Sequence, residues 1–156
     1  MNDETFIDEL LAEPLLCRFA LSRSNGPPYI RPMWFFWENG KFTMTTPAGT
    51  LLSRIAKRNS VMSLCIDKPT PPYAGVVCEG TVEVQGSLGP DLAVFQRMAE
   101  RYLPPDRVAA FMEGPLAQVK DRLRVIVHPR SWTIWNMDAS ARIPIRSAQY
   151  VNGTAQ

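Results

Sequence analysis

The chain carries a single histidine, His128, and only three cysteines, Cys17, Cys65 and Cys78, in 156 residues. One imidazole rules out most zinc sites, which draw on several histidine and cysteine ligands, and gives a Ser-His-Asp arrangement little support. An odd cysteine count with no C-x-x-C pair reads as reduced, buried apolar residues rather than as a disulfide framework. Charge of one sign is also missing, since 17 basic and 15 acidic side chains leave a net charge of +2. Nucleic-acid surfaces need clustered positive charge, so no nucleic-acid partner is expected. No apolar run approaches a membrane span, and the acidic start MNDETF has no signal-peptide pattern. The expectation is a cytoplasmic protein without a membrane partner. Internal repeats and low-complexity tracts are absent as well.

What is present is an ordinary globular balance, 46% hydrophobic and 21% charged, in a length that suits one domain with a real core. We expect that domain over residues 1–137, with 138–156 a patternless arm or disordered tail. DETFIDELLAEP reads as a short helix: Asp3 can cap it, Phe6, Ile7, Leu10 and Leu11 recur at helical spacing, and Pro14 stops it. LLCRFALS (15–22) reads as a strand closed by the turn SNGPP.

The stretch RPMWFFWENGKFTMTT (31–46) predicts a hairpin, because Asn39-Gly40 suits the two positive-φ positions of a tight turn. Read as one strand, Arg31, Met33, Phe35 and Trp37 point one way, and Trp34 and Phe36 the other. Both faces are apolar, so the strand should be covered twice, once by its own barrel and once by a helix or a second subunit. PAGTLLSRIAKRN (47–59) follows as a helix with Leu51, Leu52 and Ile55 on one side and Thr50, Arg54, Lys57 and Arg58 on the other. VMSLCID is a strand. VVCEGTVEVQG (76–86) alternates with Val76, Cys78, Gly80, Val82 and Val84 inward, and Gly80 marks a bend or bulge. Two helices come next. PDLAVFQRMAERYL places Pro90 in its first turn with a core stripe of Leu92, Phe95, Ala99 and Tyr102, and PPDRVAAFMEG turns Val108, Phe111 and Met112 inward. Two strands, VKDRLRVIVHP and SWTIWNM, close the domain. The class is α+β, a mostly antiparallel, six- to seven-stranded split β-barrel with short flanking helices.

The chemistry concentrates at the hairpin exit. A strand ending in Thr45-Thr46, a small-residue turn and a helix start with Arg54 one turn in make an anion site, because first-turn N–H groups lack intrahelical partners and the helix dipole is positive there. Arg54 can fork onto phosphate oxygens. Thr50 has a plainer reading as a helix cap, and caps are commoner than ligand sites. Trp34, Phe35, Phe36 and Trp37 could wall a planar ring, although large buried aromatics usually only pack. The conjunction shifts the balance toward a ligand site: a phosphate-type site directly follows an apolar wall, and a flat ring with a phosphate tail would match both. No histidine, cysteine or carboxylate pair stands out as catalytic. His128, Glu79 and Tyr73 read as surface, solvated and loop-anchoring residues, and Trp132 and Trp135 as opposite faces of a strand.

Three pieces carry a family resemblance. RPMWFFWENGKFTMTT is similar to an R-P-x-x-x-P-V-W-F strand with a glycine turn and a T-T end. GTLLSRIAKRNSVMSLCID resembles G-T-x-K-x-R-N-L…V-S-L-C-V-D, and PPYAGVVCEGTVEV resembles P-P-Y-x-x-V-x-V-E-G-x-V. These are motifs of the pyridoxamine 5′-phosphate oxidase-like split-barrel family, whose members bind FMN or the deazaflavin coenzyme F-420. The resemblance spans about residues 14–137. It implies a homodimer with cofactor at the subunit interface and a ring lying against Arg31, Met33, Trp34 and Phe35. It further implies a phosphate at Thr45, Thr46, Thr50 and Arg54, with Lys57 or Arg58 adding charge. The chain departs from the family at Leu52 and Phe36, where lysines are usual, and at Ile55, an asparagine position. The implied activity is flavin-dependent oxidoreduction of a small organic substrate with FMN. Coenzyme F-420 on the same fold is the nearest alternative, and a non-catalytic module for a flavin or haem is a further one. Arg31, or a backbone N–H between Met33 and Phe35, would face negative charge on the reduced ring.

Overall fold

A computed structural model describes residues 3–58, 61–87, 92–114, 121–138, 146–151 and 154–155. Helix α1 (Asp3–Ala12) precedes strands β1 (Cys17–Leu21), β2 (Tyr29–Met33), β3 (Phe36–Glu38) and β4 (Lys41–Pro47). Then come α2 (Leu51–Arg58), β5 (Val61–Asp67), β6 (Ala74–Ser87), α3 (Leu92–Tyr102), α4 (Pro105–Glu113) and β7 (Arg122–Asn136). Two late strands, β8 (Arg146–Val151) and β9 (Thr154–Ala155), end the described chain. The main sheet runs β2-β1-β5-β6-β7-β4-β3, and every pairing is antiparallel. Its edge strands, β2 and β3, are consecutive in the chain and joined only by Trp34 and Phe35. The sheet therefore curls until its edges meet at that joint, giving the α+β split barrel that the sequence predicts.

Alternation fills the barrel. Phe19, Phe42, Met44, Leu64, Ile66, Val76, Cys78, Val125, Val127 and Ile134 are fully buried, one face of each strand supplying them. Phe6, Ile7, Leu10 and Leu11 close one end from α1 and join the same cluster, as their helical spacing predicts. The Asn39-Gly40 turn has φ of 53° and 68°, the left-handed pair of a type I′ hairpin. Gly80 sits where the register shifts: Glu79 pairs with Ser131 but Gly80 with Pro129, leaving Arg130 as the extra residue of a bulge. A side chain on Gly80 would meet the His128 carbonyl oxygen at 2.3 Å, so the close approach of β7 requires glycine.

Three expectations are corrected. The first arm of the predicted hairpin is not one strand. β2 pairs with β1 and β3 with β4, with a break at Trp34–Phe35. Alternation survives the break: Met33 and Phe35 join the barrel core and Trp37 packs against it, while Trp34 stacks on Tyr102 and Phe36 lies under Arg97 of α3. On α2 the buried side chains are Leu52, Ser53 and Ala56, whereas Leu51 is exposed and Ile55 only partly covered. The helix begins at Leu51 after the cap, which rotates its buried face by about one residue. The two closing strands are one, because the bulge at Arg130 absorbs Pro129, which lacks an N–H to donate, without ending the ladder. Within residues 138–156, β8 pairs with β7 from Ser131↔Gln149 to Ile134↔Arg146. Pro90 and residues 119–120 of the expected strand lie outside the described residues, as does the side chain of Leu92.

Candidate functional site: an aromatic cleft with two arginines

The barrel brings the ends of β2 and β4 side by side, and α3 and α4 pack over them. Between these elements lies a cleft of about 310 Å³ whose lining includes Arg31, Met33, Trp34, Thr45, Phe95 and Arg122. Trp34 belongs to the joint between the barrel edges. Its ring stacks on Tyr102 at 5.1 Å with 2° between planes and tilts against Phe111 at 5.2 Å. Phe111 in turn packs on Phe95 at 5.2 Å, so one continuous aromatic wall runs from the joint to α3. Such walls suit a flat, apolar ring.

Arg122 is placed by register. It opens β7 opposite Pro47, the last residue of β4. Its Nη2 donates to Thr45 Oγ1 at 3.0 Å, and its guanidinium carbon lies 4.2 Å from the centre of the Phe95 ring. Only 8% of the residue is exposed. Burial pushes its pKa down, and the like charge of Arg31 adds to that shift. The cleft is thus apolar in its walls and positive at one side.

The joint itself is pinned. Tyr102 Oη accepts from the Phe35 N–H at 3.0 Å and lies 3.0 Å from the Leu15 carbonyl and 3.2 Å from the Phe35 carbonyl. Burial raises the Tyr102 pKa, which keeps the phenol protonated and able to donate. Arg101 beside it donates to the carbonyls of Leu11 and Glu13 at the end of α1. The Phe35 N–H is therefore engaged, and its ring is buried edge-on to Phe42 at 5.4 Å. Neither is available to a ligand.

Of the predicted phosphate residues, Thr45 lines the cleft and the others fall elsewhere. Thr46 is 1% exposed, with its hydroxyl 3.2 Å from that of Thr50. Thr50 Oγ1 also donates to the Pro47 carbonyl and accepts from the Ser53 N–H, the geometry of an N-cap. These hydroxyls serve the helix start, so an anion there would meet Arg54 and the first-turn N–H groups of Leu51 and Leu52. Arg54 lines a separate groove of about 620 Å³ on the outer side of α2, with Arg23 and Arg58. Lys57 is exposed and lines neither space. Leu52 is 0% exposed and belongs to the core. A third cleft, of about 270 Å³ at the α1 end, is lined by Glu4 and Asp8 beside Trp37 and Trp132. Its carboxylates would repel a phosphate.

Sequence reading thus finds Arg31, Met33, Trp34 and Thr45 of the cleft but misses Arg122, and it casts Tyr102 only as a core residue. The available signal is Arg122 and Arg124, two apart in an otherwise apolar strand, since one face of that strand had to hold guanidinium groups.

The family model of pyridoxamine 5′-phosphate oxidase matches residues 4–133. The chain belongs to the pyridoxamine 5′-phosphate oxidase family. Among solved structures, an F420 reductase is 26% identical with a TM-score of 0.65, over 80% of this chain and 94% of that one. A Clostridium acetobutylicum protein related to general stress protein 26 is 16% identical at TM-score 0.65, covering 96% of each chain. An FAD-binding protein from Mesorhizobium loti is 15% identical at TM-score 0.56, over 85% of this chain and 92% of that one. The last two are similar in fold alone. No match was found among curated proteins. The family and the F420 reductase relative point to a flavin-type cofactor and to oxidoreductase chemistry. The cleft fits such a group, with aromatic walls suited to a flat ring and two guanidinium groups suited to a negative charge. No helix among the described residues is long and apolar enough to cross a membrane.

Proposed function

We propose that the protein is a flavin-dependent oxidoreductase that holds FMN in the Trp34–Arg122 cleft and acts on a small organic substrate. The cleft carries this reading: a flat aromatic wall and two guanidinium groups converge at the one place where the barrel edges meet. A bound flavin supplies the two-electron chemistry. The chain's residues position it and exclude water. Trp34, Phe95 and Phe111 cover the ring, and Arg31 and Arg122 set positive charge beside it. Thr45 fixes Arg122, and in this reading the phosphate tail leaves the cleft past Pro47 to reach Arg54 and the start of α2.

A homodimer completes the site in this reading. The edge strand β2 leaves Ile30 64% exposed beside exposed Arg31 and Pro32, and Leu16 next to it is 40% exposed. A second copy laid on this edge would cover apolar surface and close the mouth of the cleft.

A second reading replaces FMN by coenzyme F-420. It is favoured by the groove of Arg23, Arg54 and Arg58, whose three positive charges suit an acidic tail, and by the 26% identity to an F420 reductase. Separate titrations with FMN and F-420 decide between the two, and reductase assays with the bound cofactor follow. Binding of neither would overturn both readings.

A further inference from the structure

We infer that Arg122, assisted by Arg31, selects planar conjugated anions in the cleft. The inference rests on the proposed function only in taking the cleft as a ligand site. Its lining carries two guanidinium groups and one hydroxyl among otherwise apolar and aromatic side chains. Arg122 is set for recognition rather than for solvation. Thr45 takes one hydrogen bond from Nη2, the Phe95 ring covers one face of the guanidinium, and strand pairing with Pro47 fixes the backbone. A guanidinium held this way has few conformations to lose when a ligand arrives, and its planar fork matches a carboxylate or an enolate-type oxygen pair. Arg31 is exposed at the rim, close enough for its charge to be felt at Arg122. The two charges bias the cleft toward a negative group, and the neighbouring Trp34 wall requires that group to sit on a flat ring.

The same chemistry has two sources. One is the cofactor's own ring in its reduced, anionic form, and the other is a substrate with a carboxylate on an aromatic ring. The test uses 2-naphthoate and its neutral isostere 2-naphthamide, titrated into the protein without cofactor and followed by quenching of tryptophan fluorescence. We expect the naphthoate to bind about tenfold tighter or more, the scale of one charge-assisted hydrogen bond. Arg122→Met should erase the preference, and Arg122→Lys should keep part of it. If Arg122→Met does not fold, Arg31→Met at the exposed rim reads the same effect, as a reduced preference. Repeating the titration on flavin-saturated protein separates the sources: retained naphthoate binding assigns the anion to the substrate, and competition assigns it to the ring. Equal binding of acid and amide, binding of neither, or a preference that survives Arg122→Met would overturn the inference. Failure of the flavin reading has a different signature, namely no flavin binding while the naphthoate preference persists.

Discussion

Removing one oxygen from Tyr102 tests whether α3 holds the barrel joint in place. Tyr102→Phe keeps the ring, and with it the parallel stack on Trp34 at 5.1 Å. It deletes the group that accepts from the Phe35 N–H and can donate to the carbonyl of Leu15 or Phe35. Phe35 is 0% exposed, so its amide would lose its partner in buried surroundings. Leaving a buried donor unsatisfied costs about 1–3 kcal/mol, and the second hydrogen bond adds about 1 kcal/mol, for a loss of roughly 2–4 kcal/mol. With a urea slope of about 1–3 kcal/mol per molar, the unfolding midpoint should fall by about 1 M or more. Because the joint carries Trp34, cleft ligands should also bind more weakly while far-ultraviolet circular dichroism stays native. Equilibrium urea unfolding followed by tryptophan fluorescence measures the first effect and ligand titration the second. A stability change below about 0.5 kcal/mol, the scale of an ordinary surface substitution, would refute the claim that this hydroxyl pins the joint.

Arg54→Ala should weaken cofactor binding by about 1.5–3 kcal/mol, the range for a hydrogen bond to a charged group; unchanged affinity in a fluorescence titration would remove Arg54 from the site. Leu52→Lys, which restores the residue usual in the family, should destabilise the fold by several kcal/mol because position 52 is fully buried, and a denaturant midpoint equal to wild type would contradict that. Burial pushes the Cys17 thiol up to about 12 and also raises Tyr102. Both folded-state values lie above their unfolded ones, so this stability is complete below about pH 8 and is lost as pH rises through the folded pKa values, the unfolded chain ionising first. Urea midpoints that stay flat from pH 8 to about 11 would contradict the assignment, given unfolded thiol and phenol values of about 8.5 and 10. Ile30→Asp should convert the proposed dimer into a folded monomer in a light-scattering mass measurement, and an unchanged mass would move the proposed interface off the β2 edge.

What was legible in the sequence was local. Asn39-Gly40 names its own turn, the alternation from Val76 to Gln85 names its inward face, and Phe6, Ile7, Leu10 and Leu11 name the helix that closes the barrel. Each depends on neighbours a few residues away. What stayed hidden depends on closure. Trp34 and Phe35 look like mid-strand residues until the sheet curls and its two edges need a joint. Pro129 looks like a strand end until Arg130 is seen as a bulge opposite Glu79 and Gly80. Arg122 becomes a cleft residue only through its pairing with Pro47, a contact between positions 75 apart in the chain. At the predicted anion site, Thr46 and Thr50 serve the helix cap instead of facing outward, since a hydroxyl's local hydrogen bonds cannot be told from its ligand bonds by spacing alone.

The central claim, a flavin-type cofactor in the Trp34–Arg122 cleft, is tested most directly by titrating the purified protein with FMN and, separately, with F-420, following cofactor absorbance and tryptophan quenching together. The account predicts that one of the two saturates at a single site per chain with micromolar affinity or better, and that Trp34 quenching tracks the occupancy. Failure of both cofactors to bind, or binding that Trp34→Leu leaves unchanged in affinity and quenching, would contradict it.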